Sequence, residues 1–518
     1  MLSQYNLSVT KVSKTHSNGQ GWGVRLRFAR KGPNIVPSKV MSGPTTLSDT
    51  FLKEQFLSLK KNSQQFKSEA PSMRKARLKK LRNWILSNRK AVQEALYADF
   101  KKPPTEADAI ELFGVLSEIR HALANLDDWM SQKRVGTPLT MVGTESFIQC
   151  EPRGVCLIIA PWNYPFLLCI GPLVSALAAG NAVLIKPSEQ TPSVSAIVSK
   201  MVREVFEPSV VVCIEGGLEV SQQLLRLPFD HIFFTGSPAV GKVVMRAASE
   251  NLTSVTLELG GKSPAIIAAD ARVGEAAERT AVSKFVNNGQ TCIAPDYVLI
   301  HETIAEDYIK QLIVCTKRLF LKENESFQQS SHYCRIVNDN HFQRLDRMVK
   351  EAVNEGGVIR MGGENDAATR FFHPTIISNV LPTSALMQEE IFGPVLPVIT
   401  FRDLSHAIDT VNSHPKPLAL YVFSQSSGVQ KKVLTETSSG GACINDCGIH
   451  FFQHNLPFGG VNHSGVGKSH GYNGFLEFSN QKSILKQRNG LTSVKMLYPP
   501  YTNRSIKILD WIFRFLSR

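Results

Sequence analysis

The chain has 518 residues, of which 43% are hydrophobic and 20% are charged. This composition is typical of a folded protein with two to four domains of about 150 residues, and it excludes collagen, disorder of the whole chain and a disulfide-stapled miniprotein. The 58 basic residues outnumber the 44 acidic ones, so the net charge is +14. A charge of this size raises nucleic acid or an anionic membrane as a partner.

The excess charge lies at the two ends of the chain. Residues 1–48 hold seven Lys or Arg and no acid, and residues 481–518 hold eight against Asp510. The residues between these ends carry 43 basic and 43 acidic side chains. Because the folded body is neutral, we expect no nucleic-acid partner.

Residues 1–48 form a basic extension ahead of the first helical pattern. Their Arg, Lys and Ser content without acids fits a mitochondrial or plastid presequence, and they lack the apolar run of a secretory signal. A disordered tail, or a start assigned too early with Met41 as the true first residue, explains the same composition.

The nine cysteines are odd in number, and they form neither a CxxC pair nor a zinc-type spacing with histidine. This pattern indicates a reduced intracellular protein with at most one reactive thiol and no metal site. We expect a cytoplasmic or membrane-associated location, with mitochondrial or plastid targeting as the alternative.

The predicted elements follow one another in chain order. Residues 51–131 carry apolar residues at three- and four-residue spacing, which predicts helices. Residues 139–152 alternate towards a hairpin that turns at residues 151–154. Strand and helix patterns then alternate to about residue 259, as a doubly wound sheet requires, and a second such run extends from 260 to about 439.

Residues 154–185 contain no charged side chain, so a hydropathy window would mark them as a membrane helix. Pro161, Pro165 and Pro172 would break such a helix. The segment instead predicts a strand, a helix stopped by Gly180 and a second strand. This is the βαβ unit of a parallel sheet that is covered on both faces.

Two side chains are the first candidates for chemistry. Cys292 lies in a loop of small residues where a substrate can reach a thiol, and the alternative is a semi-buried, inert cysteine. Glu258 lies inside an apolar strand that ends in two glycines, where desolvation would raise its pKa and make it a candidate general base. A solvated charge paired with Lys262 explains the same residue.

Two further segments favour nucleotide binding. Gly236 and Ser237 begin a turn between a strand and a helix, which suits a phosphate, although a plain βα turn has the same pattern. The spacing mimics a Walker A loop, but Val243 stands where that loop needs Ser or Thr, so we expect no NTPase. Lys186 and Glu189 follow a strand at the sheet edge where nucleotides bind, with an ordinary surface ion pair as the alternative.

Seven motifs in a fixed order resemble the aldehyde dehydrogenase superfamily. They are Pro161-Trp162-Asn163-Tyr164-Pro165, Lys186-Pro187-Ser188-Glu189, Phe234-Thr235-Gly236-Ser237, Glu258-Leu259-Gly260-Gly261-Lys262, Gly289-Gln290-Thr291-Cys292, Glu390-Ile391-Phe392-Gly393-Pro394 and Leu456-Pro457-Phe458-Gly459-Gly460. The resemblance covers about residues 50–500. Ala294-Pro295-Asp296-Tyr297, Ile444-Asn445-Asp446 and Tyr498-Pro499-Pro500 are similar to the class 3 branch, which includes fatty, aromatic and coniferyl aldehyde dehydrogenases.

The resemblance implies a mechanism. Cys292 would attack the aldehyde as a thiolate, and the side-chain amide of Asn163 with the backbone N–H of Cys292 would hold the oxyanion. Hydride transfer would leave a thioester, and Glu258 would activate the water that hydrolyses it.

The resemblance also implies a dinucleotide cofactor. Six residues would bind it: Lys186 and Glu189 at the adenosine ribose, Gly236 and Ser237 at the pyrophosphate, and Glu390 and Phe392 at the nicotinamide ribose. A Glu on the adenosine ribose favours NAD, and NADP is the alternative because class 3 enzymes tolerate both.

The implied fold is α/β, with two doubly wound α/β domains and a small β bridging arm for oligomerisation. The expected parts are a basic extension over 1–48, an NAD-binding domain over 49–259 interrupted by a bridging hairpin at about 134–152, a catalytic domain over 260–445, a return to the cofactor domain with a bridging strand over 446–490, and a basic amphipathic tail over 491–518. The bridging arm implies a homodimer.

The basic tail contains a helical stripe at apolar positions 508, 509, 512, 513 and 516, in a segment too short to span a bilayer. Such a helix lies in a membrane interface or docks on its own body or on a partner subunit. In related fatty aldehyde enzymes a C-terminal helix accompanies long-chain substrates, so the tail favours medium- or long-chain aldehydes over aromatic ones.

Two residues depart from the family pattern. Asn462 stands where the family usually has Gly, and Ser469 stands where class 3 members often carry Tyr before His470. The alternatives for function are oxidation of an aromatic or coniferyl-type aldehyde, acyl transfer to coenzyme A, and a catalytically silent, membrane-associated relative.

Overall fold

The structure is a computed structural model that describes residues 47–138, 141–490, 495 and 498–517. The predicted N-terminal extension, residues 1–48, lies outside the described residues except for its last two positions. Ser48 caps the first helix, because its side chain accepts a hydrogen bond from the backbone N–H of Phe51.

The elements up to residue 259 begin with helices and then alternate. The helices are α1 (Asp49–Phe66), α2 (Pro71–Ser87), α3 (Arg89–Phe100), α4 (Pro104–Glu106), α5 (Phe113–Met130), α6 (Leu167–Ala179), α7 (Pro192–Val205), α8 (Leu218–Leu225) and α9 (Pro238–Ser249). The strands are β1 (Lys133–Val135), β2 (Thr144–Pro152), β3 (Val155–Ile159), β4 (Ala182–Lys186), β5 (Val211–Cys213), β6 (His231–Gly236) and β7 (Ser254–Leu259). The helices predicted over 51–131 are confirmed.

The remaining elements continue the alternation. The strands are β8 (Pro264–Ile267), β9 (Tyr297–His301), β10 (Val358–Met361), β11 (Asn365–Asp366), β12 (Phe371–Phe372), β13 (Thr375–Ser378), β14 (Val395–Phe401), β15 (Ala419–Phe423), β16 (Gly441–Ile444), β17 (Gly465–Val466) and β18 (Ser479–Gln487). The helices are α10 (Val273–Phe285), α11 (Ala305–Phe320), α12 (Asp339–Asn354), α13 (Ala385–Gln388), α14 (Leu404–Ser413), α15 (Ser427–Glu436), α16 (Gly471–Glu477) and α17 (Asn503–Leu516).

The first large sheet has six strands in the order β17-β7-β6-β3-β4-β5. Its strands are parallel except for β17, which runs antiparallel to β7. The charge-free segment forms β3, α6 and most of β4, which confirms the predicted βαβ unit, and every residue of the two strands is buried because both sheet faces are covered. Among the described residues, no helix is both long enough and apolar enough to cross a membrane.

The second large sheet has seven strands in the order β10-β13-β14-β9-β8-β15-β16. It is parallel except at its edge, where β10 runs antiparallel to β13. The chain passes from the first sheet to the second between Leu259, which ends β7, and Pro264, which begins β8. The carboxyl end of β7 is therefore the point at which the chain leaves the first sheet for the second.

The third sheet has three antiparallel strands in the order β1-β2-β18. The sequence predicted a hairpin that turns at residues 151–154, and this position is wrong. The chain reverses earlier, between β1 and β2, and β2 runs on to Pro152 because it pairs along its whole length with β18. Residues 153 and 154 instead lead into β3 of the first sheet, where the Asp230 carboxylate accepts the N–H of Val155 at 2.7 Å. The two doubly wound sheets and this small β arm confirm the predicted fold class.

The C-terminal helix α17 exposes much of its apolar surface. Thr502 caps it, and the predicted positions 508, 509 and 512 are partly buried. Trp511, Phe513, Phe515 and Leu516 are 62–69% exposed. These four side chains are therefore largely uncovered by the described part of the chain.

Candidate active site

The loop that carries Cys292 begins with three consecutive residues in left-handed backbone conformations. After α10 ends, Asn287 and Asn288 adopt left-handed conformations with φ of +54° and +57°, and Gly289 follows at +69°. Asn is the side chain that tolerates this conformation best. A Cβ at Gly289 would lie 2.2 Å from the carbonyl oxygen of Gly393, so only glycine fits there. These three left-handed residues form a tight turn that ends three residues before Cys292.

The side-chain amide of Asn163 is fixed by this same loop. Asn163 is 3% exposed, and its Nδ2 donates to the carbonyl of Gln290 at 3.1 Å. The Asn287 side chain donates to the carbonyls of Asn163 and Gln290 at 2.9 and 3.0 Å. One N–H of the Asn163 amide is therefore committed to the loop, and an amide nitrogen has a second hydrogen to offer a ligand.

Cys292 lines a cavity of about 390 Å³ whose wall is mostly apolar. We call it the apolar cavity. Its apolar wall is formed by Ala109, Ile110, Leu167, Leu168, Val282, Val286, Ile293, Ile449, Phe451 and Phe452. A cavity of this volume and lining is typical of a site for an apolar small molecule.

Cys292 also lines a second cavity, of about 230 Å³, at the carboxyl ends of β6 and β7. We call it the sheet-edge cleft. Seven of the residues that the sequence singled out lie along it: Asn163, Gly236, Ser237, Glu258, Cys292, Glu390 and Phe392. This edge of a parallel sheet is where nucleotides bind in open α/β folds.

Lys186 and Glu189 are not among the residues that line the sheet-edge cleft. Lys186 ends β4, which neighbours β3 in the sheet, and its ammonium is paired with the Glu189 carboxylate. The Lys186 side chain is 4% exposed and that of Glu189 is 46% exposed. The pair therefore lies at the same sheet edge, on the next strand but one from β6.

Glu258 lies on β7 and is only 5% exposed. Ser469 donates a hydrogen bond to its carboxylate, and desolvation raises the pKa of Glu258 to about 7. The alternative pairing with Lys262 is wrong, because Lys262 instead contacts Asp296 at 2.5 Å and donates to the backbone carbonyls of Leu386 and Glu389. Burial also raises the pKa of the Cys292 thiol well above its usual value.

Glu390 has an unpaired carboxylate oxygen inside the sheet-edge cleft. Its Oε1 is buried and has no hydrogen-bond partner among the described residues, and burial raises the pKa of Glu390 to about 8. The carboxylate lies over Gly260, where a Cβ would come within 2.1 Å of it. Phe392 follows at φ +50°, and its ring lies edge-on to Trp162 with centroids 5.3 Å apart.

Two residues of the sheet-edge cleft carried no sequence signal. Arg344 and His341 reach it from α12, which lies outside the seven motifs. Arg344 donates to the backbone carbonyls of Glu390 and Ile391 at 3.1 and 2.5 Å, which fixes the Glu390 backbone. Burial lowers the pKa of His341 to about 4, so its ring is neutral at neutral pH.

The two departures from the family pattern have local explanations. Asn462 has φ +53°, a left-handed conformation that Asn adopts at least cost after Gly, and its side chain accepts from Lys416 at 3.1 Å. Ser469 is the residue that contacts Glu258. The first departure thus concerns the backbone, and the second lies at the proposed base.

Comparisons with known proteins identify the family of the chain. The aldehyde dehydrogenase family model matches residues 52–484. The chain is 44% identical over 443 residues to the 4,4'-diaponeurosporen-aldehyde dehydrogenase of Staphylococcus aureus, covering 86% of this chain and 95% of that protein. It is 42% identical over 442 residues to aldehyde dehydrogenase family 3 member A2 of Macaca fascicularis, covering 85% of this chain and 89% of that protein.

A solved structure shares the fold. The substrate-bound state of Staphylococcus aureus AldH matches with a TM-score of 0.85 at 43% identity, over 89% of this chain and 99% of that chain. The family match spans most of the chain, and it includes the elements that carry Cys292, Glu258 and Asn163. The chain therefore belongs to the aldehyde dehydrogenase family and is an oxidoreductase that acts on an aldehyde.

Proposed function

We propose that this chain oxidises a medium- or long-chain fatty aldehyde to the carboxylic acid, with Cys292 as the nucleophile and NAD as the hydride acceptor. One observation carries the proposal: Cys292 lines both the apolar cavity and the sheet-edge cleft. A thiol at this junction meets an apolar substrate on one side and a nucleotide on the other.

The Cys292 sulfur attacks the aldehyde carbon and forms a thiohemiacetal. Because burial raises the pKa of this thiol, a base must take its proton before the attack. Glu258 is suited to that step, since its carboxylate lines the same cleft. Asn163 and the backbone N–H of Cys292 donate to the new oxyanion, and each such donor contributes about 3 kcal/mol to the transition state.

Once the proton from Cys292 has passed from Glu258 to solvent, the Glu258 carboxylate acts on the thioester that remains on Cys292. A carboxylate whose pKa is about 7 accepts a proton from water well at neutral pH. The water oxygen bonds to the acyl carbon, the C–S bond breaks, and Glu258 holds the proton. The carboxylic acid leaves through the apolar cavity, and Cys292 is restored.

The residues of the sheet-edge cleft fit a nicotinamide dinucleotide, which would accept the hydride when bound. The unpaired Glu390 Oε1 would receive a hydrogen bond from a ribose hydroxyl, which offsets the cost of its burial. Ser237 stands at the N-terminus of α9, where free N–H groups favour a phosphate. The half-exposed Glu189 beside Lys186 would repel a 2′-phosphate, which favours NAD, with NADP as the alternative.

A chain-length series tests the proposed substrate. We expect kcat/KM for NADH production to rise at least tenfold from hexanal to hexadecanal, because each buried CH₂ contributes about 0.8 kcal/mol. Benzaldehyde as the best substrate would favour the aromatic alternative. Acyl-CoA formed in place of the free acid, when coenzyme A is added, would favour the acyl-transfer alternative.

A substitution of Cys292 tests the nucleophile. Cys292→Ala is expected to abolish NADH production, and Cys315→Ala is the matched control because Cys315 is a buried cysteine on α11 outside both cavities. Activity retained in Cys292→Ala would contradict the assignment. Activity lost in both variants would point to a folding defect, which circular dichroism would detect.

The exposed side chains of α17 support a peripheral contact with a membrane. Trp511, Phe513 and Phe515 lie on a short helix flanked by basic residues, and such helices bind the lipid interface. We expect co-sedimentation with phosphatidylserine-containing vesicles to be lost when residues 503–518 are deleted. Vesicle binding that survives the deletion would contradict this part of the proposal.

The three-stranded sheet supports a homodimer. Its edge strand β18 is mostly exposed and pairs on one side with β2, and edge strands of this kind are extended by a partner chain. Size-exclusion chromatography with light scattering is expected to give twice the mass of 57.3 kDa. Replacing Ile484 and Leu485 of β18 by Pro would shift the protein to the monomer.

A further inference from the structure

A third cavity lies beside Glu258. It holds about 30 Å³, which is room for about two water molecules. Apolar residues of α6 form part of its wall, and its polar wall includes Glu258, Ser469, His470, His454 and Glu118. We call it the histidine cavity. Glu258 therefore borders both this cavity and the sheet-edge cleft.

Ser469 joins Glu258 to the histidine cavity. Its hydroxyl donates to the Glu258 carboxylate, and its neighbour His470 is held at φ +70°, a conformation that costs free energy for a residue other than glycine. His470 Nδ1 lies 3.0 Å from the carbonyl oxygen of Phe451 and 3.6 Å from Glu118 Oε1. The His470 imidazole thus lies against Glu118 in the cavity that Glu258 also lines.

Glu118 connects the two histidines of the cavity. Its Oε1 lies 3.1 Å from His454 Nδ1, and its Oε2 accepts the N–H of Gly471 at 3.2 Å. On the other side of its ring, His454 Nε2 lies 2.7 Å from Ser117 Oγ. Ser117 is partly exposed, so the polar groups connected through Glu118 extend from the histidine cavity, which Glu258 lines, to the protein surface.

We propose that Glu118, His454 and His470, together with water in the histidine cavity, carry to the surface the proton that Glu258 takes during thioester hydrolysis. The proposal rests on the proposed function, in which Glu258 is the general base. The attacking water gives one proton to Glu258, its oxygen bonds to the acyl carbon, and the C–S bond breaks. The proton then passes from Glu258 to a cavity water and to an imidazole nitrogen, and the carboxylate is restored when one proton reaches solvent.

Burial makes such an exit necessary. Glu258 is 5% exposed, and a dinucleotide in the sheet-edge cleft would cover it on that side. Desolvation raises the pKa of Glu258 to about 7, against the Ser469 hydrogen bond and the facing Lys468, which lower it, and the facing carboxylates of Glu477 and Glu118 raise it further. The imidazoles of His454 and His470 line the same cavity, so a cavity water can pass the proton to them, and burial lowers the pKa of His470, which favours release of the proton onward.

Hydrolysis of p-nitrophenyl acetate tests the relay without cofactor or aldehyde. The ester acylates Cys292 directly and releases p-nitrophenol in a burst, and the slower steady state reports hydrolysis of the acyl-enzyme. In His454→Ala we expect an unchanged burst and a steady-state rate about tenfold lower. Added imidazole is expected to restore at least half of that rate, because it replaces the missing proton carrier.

The matched control is His373→Ala, which removes a partly buried imidazole outside the three cavities. Its steady-state rate is expected to equal that of the wild type and to be independent of imidazole. A steady-state rate that is unchanged in His454→Ala, or that falls and is not restored by imidazole, overturns the relay.

Glu118→Gln provides a second variant. Its amide oxygen can still accept the N–H of Gly471, but the neutral group no longer attracts a proton onto the two histidines. We expect the same tenfold fall with the burst intact, and an unchanged rate contradicts the relay. A missing burst in the wild type, or a burst that persists in Cys292→Ala, overturns the proposed nucleophile instead, so the two failures are distinguishable.

Discussion

The replacement of Glu258 by Gln is expected to change the hydrolysis rate and the stability of the protein in opposite directions. Gln has the same shape, and its amide oxygen can accept the Ser469 hydroxyl as the carboxylate does. It cannot accept a proton from water, so we expect steady-state hydrolysis of the acyl-enzyme to fall at least about 100-fold. In the wild type the same rate is expected to rise with pH through about 7, the pKa of Glu258.

The same replacement is expected to raise the free energy of unfolding at neutral pH, although it lowers the hydrolysis rate. In the folded protein the pKa of Glu258 is raised from 4.5 to about 7, so between these values the folded state holds a proton that the unfolded state has lost. Stability therefore falls as pH rises through this window. At 1.36 kcal/mol per pKa unit the loss is about 3 kcal/mol. Gln does not ionise, so Glu258→Gln should be more stable than the wild type by about this amount above pH 7, relative to their difference below pH 4.5.

Urea unfolding at pH values on both sides of this window measures the free energy of unfolding. Stopped-flow p-nitrophenol release measures the rate at which the acyl-enzyme is hydrolysed. Glu219→Gln is the control, because Glu219 is exposed on α8, and it should change neither. A stability difference between Glu258→Gln and the wild type that does not grow with pH would refute the argument that Glu258 is desolvated. Hydrolysis that stays fast in Glu258→Gln would refute its role as the base.

Three further predictions concern the rest of the site. Asn163→Ala should lower kcat for aldehyde oxidation about 100- to 1000-fold with dinucleotide affinity unchanged by calorimetry, and a loss smaller than tenfold would exclude an oxyanion role. Glu189→Gln should narrow the preference for NAD over NADP, measured as the ratio of their Kd values, because it removes the charge that opposes a 2′-phosphate; an unchanged ratio would count against this contact. Phe452→Asp in the apolar cavity should raise KM for hexadecanal at least tenfold and leave KM for propanal unchanged, whereas Ile444→Asp, at an exposed site, should change neither.

Part of the fold followed from local patterns in the sequence. The charge-free run with its three prolines predicted β3, α6 and β4, because a parallel strand covered on both faces is a nearly continuous apolar run. The three-stranded sheet was harder, since the length of β2 depends on its pairing with β18, more than 300 residues away. A turn signal at Pro152 and Gly154 could not show which sheet the next strand joins.

The candidate site divides in the same way. Ordered motifs singled out Cys292, Glu258 and Asn163, although their catalytic roles stay predictions. The contacts that determine the chemistry of these groups come from distant segments. Ser469 donates a hydrogen bond to Glu258, the carbonyl of Gln290 accepts one from Asn163, and Asp296 forms the salt bridge with Lys262. No local sequence pattern predicts such pairs.

The sequence by itself determined the family, the two strand-and-helix runs and the position of the excess charge at the two ends, because these depend on composition, periodicity and motif order. The tertiary structure alone decided that Glu258 is desolvated, that Cys292 lies between an apolar cavity and a polar cleft, and that Glu118, His454 and His470 meet beside the base. The reason is physical: a pKa and a cavity are set by the distance and burial of groups far apart in the chain, and only packing fixes these quantities.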